Sequence, residues 1–296
     1  MKMKNNRDLE NEILEIKKLM ERAANKDIKP LLKAYKKALD ELRAELGNIY
    51  MRYSNSEGLN MTTNDKLQEL RKVENSLVKM AKNINPLEVA IAEGILTNVF
   101  KDSYYRTAYT IDKGVSITTN FKILRPEFID VVVNANFEGQ NFSSRIWKNK
   151  DWLVNKLYSN IERAIKEGTK IDKLAKDIKD TFGSSAYQSK RLIHTELARV
   201  QSNAQDQIYR DSGLVSKVLY IATLDMTTNP EDAADDGKIF GIDDPNRPSI
   251  PRHPNCRCTY APYMPNWSPK TRRDNITKEN IPYQNYSDWA KSKGIS

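Results

Sequence analysis

The chain is 296 residues long, enough for about two domains of ordinary size, each with its own core. Hydrophobic residues make up 39% and charged residues 29%, and the mean hydropathy is -0.69. The apolar positions are patterned, so this balance indicates exposed helix surface and excludes wholesale disorder. The net charge is +9 and unevenly placed: residues 141–212 carry 14 Lys/Arg against 9 Asp/Glu, and residues 213–262 carry 5 against 7. A cationic excess on helices suits a phosphate backbone through counterion release, and equally suits plain solubility. No signal peptide is expected behind Met-Lys-Met-Lys, and no run approaches the ~18 apolar residues of a membrane span. Folding in a cytosol without a membrane anchor is the expectation.

The first third reads as long helices. Leu9, Ile13, Ile16 and Leu19/Met20 repeat at helical spacing. Leu31, Leu32, Tyr35, Ala38, Leu39, Leu42, Leu46 and Ile49 continue the stripe in a second helix, opened by Pro30 and ended by Gly47 and residues 54–58. Thr63 or Asn64 caps a third, through Leu67, Leu70, Val73, Leu77 and Met80, and Pro86 starts a fourth that runs to about Tyr109. Such narrow stripes, flanked by Glu and Lys, suit an arm that docks on a partner as well as an ordinary bundle. Residues 115–123 and 129–133 are readable as short strands or connectors. Residues 138–143 form a turn, with Ser143 or Ser144 capping the next helix.

That helix carries Trp152, Leu153, Leu157, Ile161, Ala164 and Ile165 and stops at Gly168. A short one follows with Ile171, Leu174, Ala175 and Ile178, stopped near Gly183. Ser185-Ala-Tyr-Gln188, a capping-box pattern, opens another that runs to Gly213. Beyond Gly213 the grammar changes. Residues 214–224 read as a strand, Asp236-Gly237 as a hairpin turn, and residues 238–242 as its second strand. Pro245, Pro248, Pro251 and Pro254 forbid regular structure, and residues 258–260 return as a last strand. The polar tail past Pro265 is expected to be peripheral. The fold class is mainly α with a small β-containing C-terminal subdomain (α+β).

The two cysteines, Cys256 and Cys258, are one residue apart, too close for an unstrained bridge, and stand beside His253. Imidazole and thiolate are ligands that tetrahedral zinc prefers, and the flanking prolines hold the backbone rigid. Asp225, Asp232, Asp235 and Asp236 are the nearest candidates for a fourth ligand. The alternative is a histidine bonded to a loop carbonyl beside two buried thiols.

Asp225, Asp236-Gly237-Lys238-Ile239-Phe240, Pro251 and His253-Pro254-Asn255-Cys256-Arg257-Cys258 together resemble the minor head (head-morphogenesis) proteins of tailed bacteriophages, of the phage Mu protein F type. Upstream, Gly139, Arg145-Ile146, Gly168, Thr195-Glu196, Ala198, Asn203 and Tyr209 fall in that family's order, so the resemblance covers about residues 139–262. Two departures stand out. Asn229 and Asp232 occupy places where many members carry loop cysteines, so the resemblance implies Asp232 as the oxygen ligand that joins His253, Cys256 and Cys258, and His194 precedes Thr195 where an arginine is usual. The resemblance implies a non-enzymatic protein inside the virion near the portal vertex, reached from the host cytoplasm during assembly. It would aid capsid assembly, DNA packaging or DNA delivery, with the portal protein, the major capsid or scaffolding protein and double-stranded DNA as partners. The implied organisation is a helical docking region over 1–138, a minor-head-like domain over 139–265 and a basic tail over 266–296.

The readings weighed against this one come from other classes. A stand-alone, non-specific duplex-binding protein would use Lys148, Lys150, Lys156, Lys166, Lys170, Lys173, Lys176, Lys179, Lys190 and Arg191, with a helix-turn-helix-like step near Gly183. A zinc nucleobase deaminase would use His194-Thr195-Glu196 with the later thiols, whose gap is wrong for it. A Cys/His nucleophile in a proline-bounded loop lacks the usual helix start. The acidic stretch 225–244 has no EF-hand order, and no phosphate-cradling glycine motif is present.

Overall fold

The computed structural model describes residues 7–55, 58–115, 121–263, 271–274, 276–277, 279–282 and 284–293. It is mainly helical, with small antiparallel sheets confined to short segments, as expected. No helix among the described residues is long and apolar enough to cross a membrane. The chain divides into two compact units. One takes in Met1–Ala24, Ile95–Val133 and His194–Ser296, the other Asn25–Gly94 and Asn134–Ile193.

The second unit is built from helices. α2 (Lys29–Tyr53) has Pro30 in its first turn and buries Leu31, Tyr35, Ala38, Leu42, Leu46 and Ile49 at the predicted spacing. Gly47 does not end it, since the apolar stripe continues to Tyr50. Strands β1 (Ser54–Asn55) and β2 (Gly58–Leu59) form a small ribbon before α3 (Thr63–Val115). Thr62, rather than Thr63 or Asn64, caps α3. Its Oγ1 accepts from the Asp65 amide at 3.2 Å while its own amide donates to Asp65 Oδ2 at 3.3 Å. Pro86 starts no new helix and lies inside α3. The buried stripe Leu70, Val73, Leu77 and Ile84 carries straight through to Ala92, and burial of that face outweighs one missing backbone bond.

α5 (Phe142–Glu167) is capped by Asn141, whose Oδ1 accepts from the Ser144 amide at 2.8 Å, so neither predicted serine does this work. It ends at Gly168 with φ 68°, the left-handed cap that glycine adopts without strain. α6 (Ile171–Ser212) replaces the two helices expected on either side of Gly183. Leu174, Ile178, Phe182, Ser185 and Ser189 bury one unbroken face across that glycine. The helix-turn-helix step therefore does not exist, and Ser185 turns inward instead of capping.

The first unit holds α1 (Arg7–Asp27), the later parts of α3 and α6, α4 (Pro126–Val133) and everything after Gly213. Residues 129–133 are thus helical rather than extended. Of the other expected strand, residues up to Val115 are helical, 116–120 lie outside the described residues, and 121–123 have no regular structure. β3 (Lys217–Ile221) is the centre of an antiparallel sheet ordered β4–β3–β5, with β4 at Ile239–Gly241 and β5 at Thr259–Tyr263. Its alternation sends Leu219 and Ile221, with Ala261, against Leu14 of α1. Tyr220 pairs in register with Tyr260 and meets it edge to face, ring centroids 5.3 Å apart. Further along the chain, β6 (Thr271–Arg273) pairs with β7 (Asn280–Pro282), and α8 (Tyr286–Ser292) buries Trp289 against Leu224. The tail expected to be peripheral thus contributes a fully buried tryptophan to the first unit's packing.

Candidate functional site

The short helix α7 (Pro230–Asp235) and the proline-rich run 245–258 bring together the side chains that carry chemistry. Asn229 caps α7, accepting from the Glu231 amide at 2.9 Å, and Pro230 fits its first turn. This seats Asp232 inward, 2% exposed. The helix then leaves through Asp235–Lys238, where Asp236 (φ -59°, ψ 128°) and Gly237 (φ 80°) have the dihedrals of a type II turn. Asp236-Gly237 is therefore a turn joining a helix to β4, not one joining two strands. Asp236 Oδ1 also accepts from the Ala222 amide at 2.8 Å.

A second turn of the same kind makes the His-Pro-Asn-Cys segment. The Cys256 amide donates to the His253 carbonyl at 3.1 Å, Pro254 occupies the second position, and Asn255 takes φ 60° at the third. The turn puts His253 and Cys256 on one side. The Asn255 amide donates to Thr195 Oγ1 at 3.0 Å, and Lys17 Nζ donates to the Cys258 carbonyl at 2.9 Å. These two bonds tie the segment to α6 and α1.

Ligand atoms of Asp232, His253 and Cys256 lie within 4.8 Å of one another. His253 Nε2 is 2.8 Å from Asp232 Oδ2, and its Nδ1 is 3.0 Å from the Pro254 carbonyl. Tyr220 Oη donates to Asp232 Oδ1 at 2.7 Å. The Cys258 thiol is near enough to Cys256 and Asp232 to shift the ionisation of both. Both cysteines are buried and free of any disulfide.

The charges respond to these contacts. Burial pushes the Asp232 carboxyl up, but bonds from Cys258, His253 and Tyr220 hold it below the usual carboxylate range. Burial pushes His253 down, but the bonds to Asp232 and the Pro254 carbonyl, with the negative charges of Cys256 and Asp232, together outweigh it, so the imidazole sits above its ordinary value. The bond from Cys258 lowers the Cys256 thiol to about 6, while that same contact and burial push Cys258 up.

The remaining acidic candidates are taken by other partners. Asp225 binds Arg257, with a Nη2–Oδ1 distance of 2.9 Å, and Thr227. Asp235 pairs with Arg252 and with Lys238, the latter at 2.7 Å. Sequence reasoning missed the supporting residues. Tyr220 read only as a strand residue, and Arg252 stacks over its ring at 5.3 Å. The deaminase pattern does not assemble. Glu196 is paired with Arg199 at 2.7 Å, and Arg199 caps α4 by donating to the Val132 and Val133 carbonyls at 2.9 Å.

The basic residues assigned to nucleic acid separate into two groups. Lys166, Lys170, Lys173, Lys176, Lys179 and Lys190 are exposed and Arg191 is half-buried. Lys166 pairs with Glu162 at 2.7 Å, and the exposed Asp172 and Asp180 interrupt the lysines of α6. Lys150, counted with them in the wider stripe, is wholly buried. It contacts Glu88 Oε2 and Tyr35 Oη, with Ser189 Oγ at 3.5 Å, and Tyr35 Oη also meets Ser189 at 2.8 Å and Ser185 at 3.4 Å. Burial pulls the Lys150 ammonium below its ordinary range, and Glu88 opposes this. No DNA phosphate reaches that amine.

Residues 155–261 match the family described as Phage Mu protein F like protein. The minor head protein GP7 of Bacillus phage SPP1 is 21% identical over 303 residues, covering 95% of this chain and 97% of that protein. An NAD(+)–arginine ADP-ribosyltransferase, EFV, of Enterococcus faecalis is 25% identical over 274 residues, 88% of this chain. The chain spans 56% of that protein's length. No solved structure matches. The likeness to the tailed-phage minor head proteins, drawn from the His-Pro-Asn-Cys-Arg-Cys segment and its neighbours, is borne out.

Proposed function

We propose that this chain, related to the minor head proteins of tailed phages, is a structural head protein seated inside the capsid at the portal vertex. There it assists assembly, DNA packaging or DNA delivery, beside the portal protein and the major capsid or scaffolding protein. The observation that carries the reading is the end-to-end correspondence with the SPP1 minor head protein. Docking on the portal is assigned to the helices of residues 1–138, which expose large apolar side chains such as Met51, Leu67 and Tyr109. Co-purification of the tagged full chain with portal oligomer is the expected result. A chain absent from both virions and procapsids sinks the reading.

Duplex contact is assigned to Lys166, Lys170, Lys173, Lys176, Lys179, Lys190 and Arg191. With acidic residues among them, the binding is non-specific and rests on counterion release, so its affinity falls steeply with salt. Gel-shift titrations at two salt concentrations check this; equal affinity at both, or none at low salt, removes DNA from the proposal. Salt-steep DNA binding without any portal capture favours the competing reading, a stand-alone duplex-binding protein.

A further inference from the structure

We propose that Asp232, His253, Cys256 and Cys258 form a tetrahedral site for a zinc-class divalent ion. The argument begins with a proton that cannot be in two places. The Pro254 carbonyl only accepts, so His253 Nδ1, 3.0 Å away, carries the hydrogen and donates it. In a neutral imidazole this leaves Nε2 as a bare lone pair, and it faces Asp232 Oδ2 at 2.8 Å. Two acceptors at that distance need a hydrogen or a metal ion between them. A second proton on the ring meets that need, and so does a metal ion.

The thiols decide between the two. A histidinium–aspartate pair makes no use of sulfur, yet Cys256 Sγ lies within 4.8 Å of both the imidazole nitrogen and the carboxylate oxygen. Around a zinc with bonds of ~2.0–2.3 Å, neighbouring ligand atoms sit roughly 3.3–3.8 Å apart. The three groups reach that spacing if His253 and Asp232 separate by about 0.5 Å and Cys256 closes in by about 1 Å or less. Cys258, two residues on, lies outside that group of three, and it takes the fourth corner by swinging its thiol inward. Imidazole and thiolate with a single carboxylate select zinc over calcium or magnesium, which take oxygen cages.

The groups around the site do what outer ligands do. Tyr220 Oη occupies Asp232 Oδ1 and leaves Oδ2 for the ion, while the Pro254 carbonyl fixes the imidazole tautomer. The two type II turns hold the donors on their short segments. The site closes the segment 230–258 as a structural clasp, and nothing in it depends on the head-protein reading.

Metal titration of the natively purified full chain tests the proposal. Chelator-stripped wild type is expected to take up one zinc per chain, and with cobalt to show thiolate-to-metal charge transfer together with the d–d bands of a tetrahedral ion. Cys256→Ser removes the charge-transfer band or halves it. Tyr220→Phe, which keeps all four ligands, weakens cobalt binding by about tenfold. Glu167→Gln, an exposed position of α5 far along the chain from the ligands, leaves both readouts unchanged. Wild type that binds no zinc, or binds cobalt without the sulfur band, overturns the site and leaves the histidinium–aspartate pair as the explanation. Because wild type alone decides this, a variant that fails to fold does not rescue the proposal.

Discussion

Each of the two units buries a polar cluster, and the two clusters are made of opposite materials. In one unit Lys150, Glu88, Tyr35, Ser185 and Ser189 stand on four long helices, α5, α3, α2 and α6. Both charges are wholly buried and the ammonium and carboxylate balance each other, while Glu88 Oε1 is left without a hydrogen-bond partner. In the other unit Asp232, His253, Cys256 and Cys258 stand on one short helix and a run without regular structure, and the His253 side chain remains 30% exposed. The helical cluster has charge balance and no way in. The loop cluster has metal-ligand chemistry, a facing pair of acceptors and an opening. Burial of polar groups alone therefore does not mark a site; what matters is whether the groups complete one another.

The comparison can be broken most easily at the helical cluster. Lys150→Met alone leaves Glu88 buried without its cation and is expected to cost about 3–5 kcal/mol in urea unfolding. Lys150→Met with Glu88→Leu replaces the pair by apolar volume and is expected to be near neutral or stabilising. A double variant as damaged as the single one would show that the pair contributes something beyond mutual compensation. At the loop cluster, Asp236→Ala leaves the buried Ala222 amide without its acceptor and is expected to cost about 1–3 kcal/mol. Cobalt or zinc uptake in that variant separates turn stability from ligand geometry.

Asp211 supplies the smallest and most graded test. Burial pushes its carboxyl up, but donors from Lys122 at 2.8 Å, Tyr104 at 2.7 Å and Gln207 at 3.1 Å hold it below the ordinary range. A carboxyl with a depressed folded value binds fewer protons when folded. Its contribution is present in full above the unfolded aspartate value and is lost as pH falls through the folded one. Asp211→Asn is expected to remove about 1 kcal/mol at neutral pH, reduced by the exposure of Lys122, and to flatten the acid limb of the stability curve. An unchanged acid limb in that variant would show that the charge is not what those donors hold.

Elements with a repeating apolar stripe were legible in the sequence. α1, α2, α5 and β3 follow from Leu, Ile and Val spacing, and Gly168 and Gly213 end helices where expected. The errors share one cause. Pro86 and Gly183 are local breakers, yet each sits within a buried face that continues on both sides, and the tertiary burial of that face prevails. The grouping of Asp232 with His253 and Cys256 was legible too, because His253 and Cys256 are close in sequence and Asp232 stood among the aspartates offered beside them, while Cys258 falls outside that group. Pro254-Asn255 and Asp236-Gly237 were the available clues to the turns that gather them. Lys150 was not legible. Its neighbours at three and four positions, Ile146, Trp147, Leu153 and Val154, are apolar and mark an inward face, but its partners Glu88 and Tyr35 lie 62 and 115 positions away.

Lys17 reaches a carbonyl 241 positions later, and Leu14 of the same helix packs on Leu219, Ile221 and Ala261. A ribosome releases Lys17 241 residues before Cys258, so this face of α1 waits through that stretch of synthesis for its cover. Chains that stall before β5 therefore present an oily helix to the cell, and chaperone capture or proteolysis of such fragments is the fate that this wiring sets for them.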